Sequence, residues 1–160
     1  MNHADDANSN KQELHVGSNP HAKGWYVLLC KAKQDHVAEE NLMRQGFTCY
    51  RPEVIDTTNG KPVKKSLFPG YIFVFLSRNQ DWSPIRSTKG IQRFVQFGVE
   101  PKSVSATIID EIKKRLSGFA LSQTTSCSRE HYSVWLEEIF KEADSLTRTC
   151  LLIKLMQKTM

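Results

Sequence analysis

The side chains that most often catalyse reactions or bind metals are scattered along this chain of 160 residues. His36 and His131 are isolated, which is more typical of surface histidines than of general bases. The four cysteines lie far apart along the chain and form no Cys-x-x-Cys pair: Cys30, Cys49, Cys127 and Cys150. There is also no Walker-type phosphate loop, nucleophile elbow or telling pair of carboxylates. We therefore predict that the protein is not an enzyme and holds neither a metal nor a cofactor.

Positive charge is concentrated in the middle of the chain. Residues 25–102 contain twelve Lys and Arg against seven Asp and Glu, an excess of five. Such an excess favours a polyanionic partner, although solubility alone would also explain it. Separated thiols in apolar segments are typical of a reducing cytoplasm, and no apolar run reaches the roughly 18 residues that cross a membrane. We predict a cytoplasmic protein without a membrane partner.

The elements that must position these charges begin after a polar tail. Residues 1–23 contain almost nothing to bury and are predicted to be disordered. An apolar strand follows from Trp25 to Cys30, and a helix is predicted from about Lys33 to Gln45, before a glycine that stops it. Phe47 to Arg51 is predicted to be a second strand, closed by a proline.

The central part of the chain alternates turns, strands and short helices. Asn59-Gly60 is a strong turn signal between basic residues. A short helix is predicted from Asp81 to Arg86 and a strand from Ile91 to Phe97. Another helix, with an apolar stripe along one side, is predicted to be capped by Ser105 and to end at Gly118. With the strand described next, the order β-α-β-β-α-β-α predicts an α+β fold, an antiparallel sheet with helices packed on one side.

The stretch from Leu67 to Phe75 predicts a strand that is apolar on both faces. Alternation puts Tyr71, Phe73 and Phe75 on one side, the aromatic face, and Ile72, Val74 and Leu76 on the other, the aliphatic face. A sheet in a small domain needs only one face for its own helices. The aromatic face is therefore either covered by another part of the chain or offered to a partner.

The C-terminal part of the chain has a helical preference. Residues 118–128 are predicted to be a linker, and residues 129–160 contain neither Gly nor Pro, which favours a helical hairpin. Ser128 can cap the first helix, and Asp144 or Ser145 can cap the second. Two short helices cannot form a core alone, so we expect the hairpin to pack on the aromatic face.

Several segments resemble the NusG family of transcription elongation factors, and within it the specialised RfaH-like members. They are WYVLLCKAKQ at 25–34, the helix ending in Arg44-Gln45, LFPGYIFV at 67–74, IRSTKGIQRFVQFG at 85–98 and IFKEADSLTRTCLLIKLMQK at 139–158. The resemblance implies a ferredoxin-like N-terminal domain over residues 24–117, a linker over 118–128 and a C-terminal domain over 129–160. In RfaH-like members that last domain can be a helical hairpin packed on the sheet.

The resemblance also implies a function, transcription elongation and antitermination. Such a factor binds the clamp of bacterial RNA polymerase and reduces pausing. The positions that match the clamp contact are apolar or aromatic: Leu29, Phe68, Tyr71 and Phe73. Aromatic anchors suit a protein interface, although the same residues could be plain core residues. A second polymerase contact matches Asp81-Trp82-Ser83, which departs from the family's Thr-rich pattern.

Recruitment through the non-template DNA strand is implied by a set of polar residues. The matching positions are Lys31, Lys33, Gln34, Asn41, Arg44, Thr88 and Lys89. Lys and Arg can neutralise phosphates, while Gln and Asn can hydrogen-bond to base edges. A solvated helix face is the alternative interpretation. We expect a monomer whose partners are polymerase and this DNA strand.

Masking of the polymerase contact by the hairpin is implied as well. The matching apolar positions are Leu136, Ile139, Phe140, Leu151, Leu152 and Leu155. The family's Glu–Arg pair between the two domains is replaced by Lys65 and Arg148, so we expect apolar packing to hold the hairpin. The family's alternative C-terminal barrel, which would bear on ribosome recruitment, needs turn glycines that this chain lacks.

A different class of function is a single-stranded RNA-binding module. Aromatic strands on a ferredoxin-like sheet also build RNA-recognition domains. The RNP-type pattern of those domains is missing, and the segment from Phe68 to Tyr71 does not resemble it. The aromatic face is thus the feature on which the two functions differ.

Overall fold

The computed structural model describes residues 23–77, 79–118 and 132–158. The disordered tail predicted for residues 1–23 therefore lies outside the described residues, apart from residue 23. Most of the predicted linker, together with its cap candidate Ser128, also lies outside them.

Six strands and five helices are formed by the described residues. In chain order they are β1 (Gly24–Cys30), α1 (Asp35–Arg44), β2 (Thr48–Tyr50), β3 (Glu53–Thr58), β4 (Lys61–Ser66), β5 (Tyr71–Leu76), α2 (Ser83–Ser87), β6 (Ile91–Phe94), α3 (Ala106–Leu116), α4 (Tyr132–Lys141) and α5 (Ser145–Lys158). The predicted antiparallel sheet with helices, an α+β fold with two C-terminal helices, is confirmed.

The main sheet has the strand order β2-β5-β1-β6, with antiparallel pairing throughout. β1 and β5 are its central strands, and Val27 lies opposite Phe73 while Leu29 lies opposite Tyr71. Since both strands alternate apolar residues toward both sides, each side of the sheet has surface to bury.

β3 and β4 form a separate two-stranded sheet. Their turn is the predicted one, with Asn59 and Gly60 in the left-handed region at φ values of 54° and 75°. The flanking strands were not predicted from the sequence. The reason is physical: β4 is exposed along most of its length, so its residues carry no alternation of apolar and polar side chains.

Helices cover both sides of the main sheet. The expectation that the first three helices pack on one side was wrong, because α3 lies on the aromatic face while α1 and α2 lie on the other. On the aliphatic face, α1 contributes Ala38 and Leu42 and α2 contributes Ile85. On the aromatic face, α3 contributes three buried isoleucines: Ile108, Ile109 and Ile112. A strand pair that is apolar on both faces requires cover on both, and α3 supplies part of the second cover.

The two C-terminal helices complete the cover of the aromatic face. Asp144 caps α5 as expected, because its Oδ2 accepts a hydrogen bond from the Thr147 N–H at 2.8 Å. Ser105 likewise caps α3, where its hydroxyl accepts from the Thr107 N–H at 3.3 Å. Leu136, Ile139, Leu152 and Leu155 lie in the same apolar cluster as the aromatic face. No helix within the described ranges is long and apolar enough to cross a membrane.

Candidate functional site

The four residues assigned to a polymerase contact lie together on the aromatic face. Phe68 and Phe73 are fully buried, and their rings meet edge to face with centroids 6.2 Å apart. Leu29 and Tyr71, neighbours across the β1–β5 pair, are half-buried at its margin. This arrangement combines a buried aromatic centre with a partly exposed rim, as protein-binding surfaces commonly do.

The hairpin of α4 and α5 packs directly on this surface. All six apolar residues assigned to masking belong to the cluster that contains Phe68 and Phe73, or pack against it: Leu136, Ile139, Phe140, Leu151, Leu152 and Leu155. Each fully buried Leu or Ile of this kind contributes about 1.5–3 kcal/mol relative to exposure. The hairpin is therefore held mainly by apolar contact.

A polar residue of α3 adds to the hold on the hairpin. The Arg115 guanidinium lies over the Phe140 ring, 5.6 Å from its centroid. Its Nε donates a hydrogen bond to Glu111 Oε1 at 2.9 Å, which fixes the side chain along α3. A cation over an aromatic face contributes about 0.5–1 kcal/mol at a partly exposed site.

The two positive residues that replace the family's linking pair have partners elsewhere. Lys65 is paired with Asp56 across the β3–β4 hairpin. Arg148 donates from Nη2 to the Ala143 carbonyl oxygen at 3.3 Å, at the start of α5. Both positions are occupied by local interactions, in keeping with the expected reliance on apolar packing.

The loops assigned to nucleic acid converge beside the first turn of α1. The Lys31 N–H donates to the Gly90 carbonyl oxygen at 2.8 Å, which joins the β1–α1 loop to the α2–β6 loop. Gly90 is required for this approach, since a Cβ there would lie 2.7 Å from the Ala38 nitrogen. The exposed cations Lys31, Lys33 and Lys89 are thereby carried on adjoining segments.

The remaining residues assigned to nucleic acid differ in their freedom to bind. Arg44 is exposed, with its guanidinium 3.8 Å from the Glu40 carboxylate, and Gln34 is half-buried as the residue preceding α1. Asn41 donates from Nδ2 to the Val37 carbonyl oxygen at 2.7 Å. Thr88 is only 4% exposed. Its geometry suits support of the loop better than contact with a ligand.

Thr88 is held from two sides. Its hydroxyl donates to the Pro84 carbonyl oxygen at 2.9 Å, and Gln45 Nε2 donates to the Thr88 oxygen at 3.0 Å. Sequence reasoning did not identify Gln45 in this role. The two residues are 43 positions apart, and no local pattern indicates such a contact.

Two thiols and one exposed carboxyl of this region have shifted pKa values. Burial raises the pKa of the Cys30 thiol to about 12 and that of Cys49 to about 11, so both are protonated at neutral pH. The exposed carboxyl of Asp81 has a lowered pKa because the hydroxyl and N–H of Ser83 donate to it. Within the described ranges, no three His, Cys, Asp or Glu side chains come together to hold a metal.

Comparison with known proteins places the N-terminal part in a family. The family model described as transcription termination factor NusG matches residues 23–113. The NusG termination/antitermination protein of Thermus thermophilus is 29% identical over 109 residues, covering 56% of this chain and 58% of that protein. The Streptomyces coelicolor protein of the same name is 26% identical over 107 residues, 58% of this chain and 35% of its own length. This chain thus spans less than two thirds of either relative.

A solved structure titled "Domain interaction in Thermotoga maritima NusG" is also similar to this chain. It is 25% identical, covers 65% of this chain and 62% of its own, and has a TM-score of 0.42. The family match ends within α3, so the hairpin of α4 and α5 lies beyond it.

Proposed function

The chain belongs to the NusG family of transcription termination and antitermination factors, and on that premise we propose that it is an RfaH-like member regulated by its own hairpin. The clamp of RNA polymerase binds the aromatic face through Leu29, Phe68, Tyr71 and Phe73. This contact reduces pausing. The factor acts as a cytoplasmic monomer and performs no catalysis.

The observation that carries this proposal is the burial of the aromatic face beneath α4 and α5. Phe68 and Phe73 have no exposed surface, and the hairpin residues Leu136, Ile139 and Leu152 lie in the same cluster. A masked interface requires a surface that is apolar enough to bind a partner and is covered until the partner is needed. The apolar character of this face and its cover by the hairpin support the proposal.

The adjoining loops beside α1 support recruitment by DNA. Lys31, Lys33, Lys89 and Arg44 are exposed cations on or next to α1, and Gln34 lies among them. They are suited to phosphates and to the base edges of an unpaired non-template strand. Within this proposal, Asn41 and Thr88 shape the surface through their internal hydrogen bonds.

The RNA-binding alternative needs an open aromatic platform on which bases can stack. Phe68 and Phe73 are covered by protein instead. Their burial supports a masked protein interface over an RNA platform.

A pair of matched substitutions on α4 tests the proposal in the full chain. Ile139 is fully buried against the sheet, whereas Val134 is 59% exposed on the same helix. A carboxylate at position 139 cannot stay in the apolar interface, so Ile139→Asp should open the hairpin. We expect its apparent affinity for polymerase paused on a bubble template to rise at least about tenfold. Val134→Asp should bind as the unsubstituted chain does.

The two possible failures are distinguishable. If Ile139→Asp binds no more tightly than the unsubstituted chain, the hairpin does not mask the site. If neither form binds polymerase while circular dichroism shows both folded, the polymerase contact itself is wrong.

A further inference from the structure

The turn before β5 is tied to the start of α1 by a side chain that the proposed function does not use. Asp35 Oδ2 accepts a hydrogen bond from the Gly70 N–H at 2.7 Å. The Gly70 carbonyl oxygen accepts from the Cys30 N–H, also at 2.7 Å. Gly70 has a φ of 85°, a conformation that side-chain-bearing residues rarely adopt. Both backbone polar groups of this glycine are thus held by the β1–α1 segment.

Each side of this hydrogen bond adjoins one of the two proposed binding surfaces. Gly70 lies between Phe68 and Tyr71, and the Tyr71 N–H donates to the Phe68 carbonyl oxygen at 3.1 Å to close the turn. Asp35 directly follows Lys33 and Gln34. Lys33 has a φ of 58°, which is uncommon for a lysine and indicates a constrained loop.

The hydrogen bond between Asp35 and Gly70 borders open space. A pocket of about 280 Å³ lies between the β1–α1 segment and the turn, lined by Lys33, Asp35, His36, Arg51, Pro69 and Gly70. Side chains do not fill this space at the turn itself, whereas β5, which follows the turn, packs with Ala38 and Leu42 of α1. Arg51 is directed to Glu39 and Glu53, with nitrogen–oxygen distances of 2.8 and 2.9 Å. The Asp35 carboxylate is therefore the side chain that bonds to the turn, beside the backbone hydrogen bond from Cys30.

We propose that Asp35 is a positioning residue that couples the nucleic-acid loop to the polymerase-binding turn. By holding Gly70, it makes Lys33 and Gln34 move with Phe68 and Tyr71 as one unit. A DNA strand that orders the loop then also orders the turn that polymerase meets. The coupling of DNA binding to polymerase binding rests on the proposed function. The hydrogen bond and the conformation of the turn are independent of that function.

The positioning step is tested by amide hydrogen exchange at Gly70 in the full chain. Asp35→Ala should accelerate that exchange at least about tenfold, because the N–H loses its acceptor. Asp35→Asn retains an acceptor oxygen and should restore most of the protection. Glu40→Gln removes a carboxylate from the same helix without touching the turn, and should leave Gly70 unchanged. Equal exchange in Asp35→Ala and the unsubstituted chain would overturn the proposal.

The coupling step is tested by a double-substitution cycle of Lys33→Ala and Tyr71→Ala, read as binding to polymerase on a bubble template. With Asp35 present, the two losses of affinity should be non-additive by about fivefold. In an Asp35→Ala background, the affinity loss of the double variant should equal the product of the two single losses within about twofold. An unchanged interaction in that background would overturn the coupling.

The same measurements distinguish a failure of this inference from a failure of the proposed function. If the unsubstituted chain does not bind polymerase, the proposed function fails and the coupling with it. Accelerated Gly70 exchange in Asp35→Ala would still support the positioning of the turn.

Discussion

The two faces of the main sheet are covered in different ways. The aliphatic face lies under α1 and α2, and its contacts Ala38, Leu42 and Ile85 have no exposed surface. The aromatic face lies under α3, α4 and α5, and several of its rings keep partial exposure: Tyr50, Tyr71 and Phe75. One face is built as a core, and the other resembles an interface between proteins.

Chain order distinguishes the two covers of the sheet. α1 and α2 lie between strands of the main sheet, so neither can leave without disturbing strands on both sides of it. α4 and α5 follow the last strand, and their departure would break no pairing within the sheet. Their removal costs apolar burial but not the sheet itself, which is the condition for a regulated cover.

The largest expected contrast is between Leu42→Ala and Leu152→Ala. Both leucines are fully buried, one under α1 and one under α5. Leu42→Ala should lower the free energy of unfolding of the sheet by about 2–5 kcal/mol without raising affinity for polymerase. Leu152→Ala should weaken the closed hairpin by a comparable amount and raise that affinity. Chemical denaturation and polymerase binding measure the two effects, and equal behaviour of the variants in both assays would contradict the contrast.

A smaller effect should appear at the loop that adjoins α1. Gly90 and Gly98 both have positive φ, at 93° and 83°, so an alanine is strained at either. An added Cβ at Gly90 would lie 2.7 Å from the backbone nitrogen of Ala38, whereas an added Cβ at Gly98 would have no heavy atom within 4 Å. Gly90→Ala should therefore destabilise the protein by about 1–3 kcal/mol more than Gly98→Ala. Thermal unfolding of the pair tests this, and equal losses would mean that the loop yields freely.

The smallest effect concerns the cation over Phe140. Arg115→Gln removes the guanidinium that lies 5.6 Å from the ring centroid. The packed state of the hairpin would lose about 0.5–1 kcal/mol of stabilisation. The apparent affinity for polymerase should therefore rise by about two- to fivefold. Lys114→Gln removes a charge from the neighbouring exposed position and provides the control. If both variants bind alike, the contact does not help to close the hairpin.

Particular residues show how far local pattern reaches. The split of β5 into aromatic and aliphatic faces was predicted, and Phe73 and Val74 lie in different clusters as expected. The caps Ser105 and Asp144 were also correct, because capping is a contact within one turn of chain. β4 was not predicted, because its residues are exposed along most of its length and show no alternation of buried and exposed side chains.

The sequence alone determined local features of the structure. These are a strand that is apolar on both faces, helices with apolar stripes, and a C-terminal segment that favours helix. Tertiary structure decided which helices cover which face, including the place of α3 opposite α1. It also decided the pairs Asp35–Gly70 and Arg115–Phe140. Such partners lie tens of residues apart, and only the folded chain brings them within reach, since propensity and periodicity act within a few residues.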